Sequence, residues 1–170
     1  MKKNNNDKQY TIALASDHAG FQLKDQLCQA LTLRGFNVID LGAKNATDSV
    51  SYVDYGFKLA KALNSDSENP VKGIGICGTG LGISYALNRF NHIRAARVTS
   101  VEDARLAKLH NDANVLVFGG RQVTLDQALE MFDQWYTTEF EGGRHLNRIL
   151  SLKEEGSNTT DSCCSIENKA

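Results

Sequence analysis

The chain has 170 residues, 41% of them hydrophobic and 23% charged, with 14 Gly and a single Pro. That length fits one domain with enough apolar residues to close a core, which excludes a wholly disordered, collagen-like or membrane-spanning chain. Lys+Arg 19 against Asp+Glu 20 leaves a net charge of -1, so no basic field exists to hold nucleic acid, although a small anion gripped by a few placed cations stays allowed.

Residues 1–9 are polar and aperiodic, and residues 156–170 are rich in Ser, Thr and Asn, so both ends read as disordered tails around one domain over 10–155. Within it, Tyr10–Ala15, Val38–Leu41, Lys72–Cys77, Arg94–Val98 and Val115–Phe118 are short apolar runs of the kind buried on both faces of a parallel sheet. Helical spacing separates them. Leu23, Leu27, Ala30 and Leu31 form one stripe closed by Gly35, and Tyr52–Leu63, Gly80–Asn88, Val101–Leu109 and Leu125–Tyr136 are the next helical segments. Thr99 with Glu102 and Thr124 with Gln127 have capping-box spacing, and a last short helix starts near Gly143 or Arg144. Strand–helix alternation predicts an α/β fold: a three-layer, doubly wound, five-stranded parallel sheet flanked by helices, Rossmann-like or flavodoxin-like. Ligands of such sheets bind beyond the carboxyl ends of the strands.

Cys28, Cys77, Cys163 and Cys164 form no CxxC pair, so neither a disulfide framework nor a zinc site is expected. Met1-Lys2-Lys3 leads into asparagines, not an apolar stretch, and no run approaches the roughly 18 residues of a membrane span. The chain reads as cytoplasmic. The four histidines show no HxH or HExxH spacing, so no metal is expected, and His92 receives no role.

The chemistry-bearing residues cluster just after the strands. Ser16-Asp17-His18-Ala19-Gly20 places a carboxylate and an imidazole at a helix amino terminus, where anions are favoured; taken by itself, Asp17 reads more simply as a helix cap. Cys77-Gly78-Thr79-Gly80-Leu81-Gly82 comes at the end of the third strand. Its alternate glycines permit close approach and positive φ values that aim successive N–H groups at one oxyanion. Gly73, Gly75 and Gly78 match G-x-G-x-x-G, but the first two lie inside the strand, where the dinucleotide fingerprint does not belong. Cys77 is either a nucleophile or base activated by the adjoining helix terminus, or a small buried hydrophobe; Cys28 takes the second reading. Arg144 and Arg148, four apart, form either a solvated basic face or an anion clamp.

Ser16–Gly20, Gly75–Gly82, His110-Asn111-Asp112-Ala113-Asn114-Val115-Leu116 and Glu141-Gly142-Gly143-Arg144-His145 occur in this order and closely resemble the type B ribose-5-phosphate isomerases, in the family that includes galactose-6-phosphate isomerase. The resemblance runs from about Tyr10 to about Ile149. It implies a cofactor-free aldose–ketose isomerase interconverting D-ribose 5-phosphate and D-ribulose 5-phosphate, or else a hexose 6-phosphate isomerase or a non-catalytic sugar-phosphate-binding module. By that resemblance Cys77 is the base that generates a cis-enediolate, and Thr79 moves protons between oxygens. His110, with Asp17 as partner, opens the sugar ring. Gly78, Gly80, Leu81, Gly82 and Asn111 hold the enediolate, while His18, Tyr52, Arg121, Arg144, His145 and Arg148 bind phosphate and substrate. Relatives are homodimers or dimers of dimers with shared sites. Where the family commonly has Asp-Tyr-Pro, this chain has Ser51-Tyr52-Val53, which puts the start of the second helix in question.

Overall fold

The computed structural model describes residues 10–63 and 70–158. Five strands, β1 (Thr11–Ser16), β2 (Asn37–Asp40), β3 (Val71–Cys77), β4 (Ala95–Arg97) and β5 (Val115–Gly119), form one parallel sheet in the order β2-β1-β3-β5-β4. The doubly wound expectation holds, with strand ends shifted by at most one residue. The path from β3 leaps past the position of β5 to the outer edge and then returns, so β4 is an edge strand of three residues.

Among the described residues, six α-helices, α1 (Phe21–Leu33), α2 (Tyr52–Ala62), α3 (Leu81–Leu87), α4 (Val101–Asn111), α5 (Leu125–Thr137) and α6 (Arg144–Asn158), accompany the sheet. Side chains alternate along a strand, so each strand feeds two cores. Ile12, Leu14, Ile74, Ile76, Leu116 and Phe118 pack against α1, α4 and α5. Ala13, Ala15, Cys77, Val115 and Val117 face α2 and α3. Gly73 and Gly75 belong to this second face, where an added Cβ would lie 3.2 Å from the Leu63 side chain and 2.9 Å from that of Leu87. Close helix-on-sheet packing, not dinucleotide binding, accounts for them.

Two local expectations need correction. The α4 box is formed by Ser100 and Asp103 instead of Thr99 and Glu102. Asp103 takes the Thr99 and Ser100 N–H groups, while Glu102 pairs with Arg105. The Thr124–Gln127 box on α5 forms as expected. The last helix is not short: α6 has 15 residues and passes the 155 boundary to Asn158. Helix α1 is preceded by a 3-10 turn, His18–Gly20. Cys163 and Cys164, like both outermost tail segments, lie outside the described residues.

Lys72 is 6% exposed on β3, with its ammonium 4.1 Å from the Tyr10 ring centroid, 4.8 Å from Trp135 and 5.3 Å from Tyr136. Burial, and then the nearby Lys108, push its pKa down to about 8. An unfolded chain keeps that proton to about pH 10.4, so the burial penalty is full below about pH 8 and fades above it. Lys72→Met is expected to stabilise the fold by about 1–3 kcal/mol at pH 7. Thermal unfolding should also lose the gain in stability that Lys72 gives the intact chain between about pH 8 and 10. An unchanged melting temperature would mean that the cation–π contacts already offset burial.

Candidate active site

Because β1 and β3 are neighbours whose connections leave in opposite directions, a crevice opens between their carboxyl ends. The loops after β1, β3 and β5 meet there. Asp17 N–H donates to Ile76 O, Gly120 N–H to Cys77 O at 2.8 Å, and Arg121 N–H to Gly78 O. Cys77 ends β3 as a buried side chain, 4% exposed. Of Gly78, Gly80 and Gly82, only Gly80 has positive φ, at 79°. Gly78 serves close approach instead: an added Cβ would lie 3.3 Å from the Arg121 guanidinium. A cation therefore sits directly against the N–H-rich turn, an arrangement suited to an oxyanion or phosphate. The Tyr52 ring lies over Gly82, where a Cβ would come within 2.7 Å of it. Thr79 Oγ1 accepts weakly from Leu81 N–H at 3.4 Å, and Arg97 Nε donates to Thr79 O.

Asp17 is the cap of the 3-10 turn, its carboxylate accepting from Gly20 N–H at 3.0 Å. Val50 N–H donates to His18 Nδ1 at 3.2 Å, which ties the imidazole to the segment before α2. That helix starts at Tyr52 in the absence of the usual proline. Val53 N–H donates to Ser51 Oγ at 3.2 Å, a bond a proline nitrogen cannot make.

His110, Asn111, Arg144, His145 and Arg148 fall elsewhere. Helix α4 runs back from the carboxyl edge of the sheet to its amino edge, and its end is pinned where β4 and β5 begin. Arg94 Nε donates to Asn111 O and Asp112 O, and Arg94 and Lys108 both pair with Asp112. Glu141 N–H donates to Leu109 O at 2.9 Å, which brings the start of α6 to the same edge. Within one chain, His110 is thus not partnered by Asp17. Its imidazole stacks on that of His145 at 4.5 Å, near the Glu141 carboxylate. Arg144 and Arg148 are likewise separated from His18 and Arg121.

Sequence spacing gave no sign of the His110, Glu141 and His145 group, whose donor atoms lie within 4.8 Å of one another. The two rings are within 10° of parallel, so their lone pairs run side by side and do not converge on one ion. Burial first, then the charges of His110 and Arg144, hold the His145 pKa below its usual value; Glu141 pulls the other way. Cys28 takes the inert reading, since burial and then Asp40 push its thiol up to about 11. His92 is spent on Ala60 O. A concavity of about 450 Å³ lies beside β4, lined by apolar residues such as Phe90, Ile93 and Ile149 together with the polar Arg94 and Asn111, and not by Cys77.

A model of the ribose/galactose isomerase family matches residues 12–152. The chain belongs to that family. It is 41% identical to ribose-5-phosphate isomerase B of Escherichia coli over 141 residues, covering 83% of this chain and 93% of that one. It is 44% identical, with a TM-score of 0.81, to the solved ribose-5-phosphate isomerase B of Clostridium thermocellum, covering 86% and 97%. It is 36% identical, with a TM-score of 0.82, to that of Mycoplasma genitalium with bound ribulose-5-phosphate, covering 88% and 98%. This ribose/galactose isomerase fold thus presents two clusters on opposite edges of one sheet. Among the described residues no helix is long and apolar enough to cross a membrane.

Proposed function

We propose that the protein interconverts D-ribose 5-phosphate and D-ribulose 5-phosphate, a step of the non-oxidative pentose phosphate pathway. The observation that carries this reading is Cys77 at the mouth of the Gly78–Gly82 turn with the Arg121 guanidinium against it, in a chain 41% identical to a ribose-5-phosphate isomerase B. The reaction moves hydrogen from C2 to C1 within one molecule, so electrons balance internally and no redox cofactor is required.

The furanose first opens, with His110 as proton donor. Cys77 Sγ removes the C2 proton of the aldehyde. The resulting cis-enediolate carries its charge on oxygen, where the N–H groups of Gly78, Gly80, Leu81 and Gly82 and the side chain of Asn111 stabilise it. Thr79 relays the hydroxyl proton between O2 and O1, and Cys77 returns its proton to C1. His18, Tyr52, Arg121, Arg144 and Arg148 hold the rest of the substrate, converting phosphate binding into alignment of C2 with the thiol.

A homodimer supplies what one chain separates. Tyr52, Leu81 and Tyr85 are exposed around the carboxyl-edge site, and Leu146 and Leu150, one turn apart on α6, are exposed beside the amino-edge cluster. In an isologous pair each patch covers the other, bringing His110, Arg144 and Arg148 of one chain to Cys77 of its partner.

The test is a side-by-side rate comparison on ribose 5-phosphate, allose 6-phosphate and galactose 6-phosphate. The five-carbon substrate is expected to have the highest kcat/KM. Preference for a six-carbon substrate would overturn the assignment, and phosphate binding without any turnover would reduce the protein to a binding module.

A further inference from the structure

The Glu141 carboxylate faces two stacked imidazoles, 3.6 Å from Nε2 of His110 and 3.8 Å from Nε2 of His145. It is held there through its own backbone, whose N–H donates to the carbonyl of Leu109, the residue before His110. His145 is 7% exposed, and its Nε2 has no hydrogen-bond partner among the described residues.

Like-charge repulsion disfavours a second positive charge in such a stack. One carboxylate balances one positive charge. Burial first, then the charges of His110, of Arg144 and, more weakly, of Arg148 on α6, disfavour a charge on His145. From α4, Glu102 is the acidic group whose field reaches His110.

We propose that Glu141 and His145 are positioning residues for ring opening, a role that rests on His110 as the ring-opening group. The Glu141 carboxylate holds Nε2 of His110 in place and the stacked His145 fixes its ring plane, so that the imidazole is aligned for proton donation. In that step the bond between C1 and the ring oxygen breaks. The ring oxygen takes the His110 proton, the C1 hydroxyl releases its proton to water, and His110 is reprotonated from solvent.

The experiment separates ring opening from enolisation. Ribulose 5-phosphate has its O5 blocked by phosphate and cannot close a five-membered ring, so exchange of its C1 hydrogen with deuterated solvent reads enolisation alone. In full-length Glu141→Gln, turnover of ribose 5-phosphate is expected to fall at least about tenfold, a share of what a general acid contributes. C1 exchange into ribulose 5-phosphate should stay within about twofold of the intact protein. Equal loss of both rates would make Glu141 merely structural and overturn the proposal, as would unchanged turnover of ribose 5-phosphate. If the intact protein neither isomerises nor exchanges, the isomerase reading itself falls, and the role of Glu141 with it.

Discussion

Cys77→Ala is expected to lower turnover of ribose 5-phosphate by about 10²–10⁴-fold, the usual contribution of a positioned base. The competing reading treats Cys77 as a small core residue, since it is 4% exposed and packs in the cluster with Ala15, Leu59 and Ile83. On that reading truncation removes one sulfur from a tight core, costs roughly 1 kcal/mol of stability and leaves the rate of the folded fraction intact. Cys77→Ser separates the two further. A hydroxyl nearly preserves the volume but is a far weaker base than a thiolate, so the rate should fall almost as far as in Cys77→Ala. Melting temperatures of both variants, measured beside the rates, keep unfolding from imitating lost chemistry. Near-normal turnover by Cys77→Ser would remove the cysteine from the mechanism.

Mixing two inactive variants is expected to restore activity. Cys77→Ala damages the carboxyl-edge half of the site, and His110→Asn damages the amino-edge half. If the halves of one site come from two chains, a mixed dimer contains one intact site and one doubly damaged site. Co-refolding equal amounts gives half mixed dimers, so about a quarter of the full number of sites should function. Sites built within one chain cannot recover this way, because every chain carries a damaged half. Sedimentation of the mixture would verify that dimers form, and an inactive mixture of verified dimers would sink the shared-site model. The opposite placement of Cys77 and His110 in a single chain makes this test decisive.

Much of the fold was legible because its signals are local. Apolar runs of strand length, the α1 stripe of Leu23, Leu27 and Leu31, and the Thr124–Gln127 box each depend on neighbours a few residues apart. The errors were local as well. In Thr99-Ser100-Val101-Glu102-Asp103 two overlapping boxes compete, and Asp103, able to accept from both Thr99 and Ser100, wins over Glu102. At Ser51 the capping signal was present in the sequence but was outweighed by the missing proline.

The chemistry-bearing residue types were legible too, since a glycine turn after a strand and a basic pair on a helix have direct physical meanings. Their grouping was not. In a parallel sheet every crossover helix returns to the amino edge, so residues after strands and residues at helix ends collect on opposite edges. Sequence order says nothing of that separation, nor of the exchange that sets β4 outside β5.

The amino-acid sequence by itself determined the alternating elements, the two-faced core and the identity of the motifs, because periodicity and turn chemistry act over a few residues. Only the tertiary structure decided which motifs meet. It seated Arg121 against Gly78, gave Asp17 to the cap of its own turn, and stacked His110 on His145 beside Glu141. Those pairings join loops from different crossovers, and the sheet's strand order and helix packing, not any local pattern, bring them within contact distance.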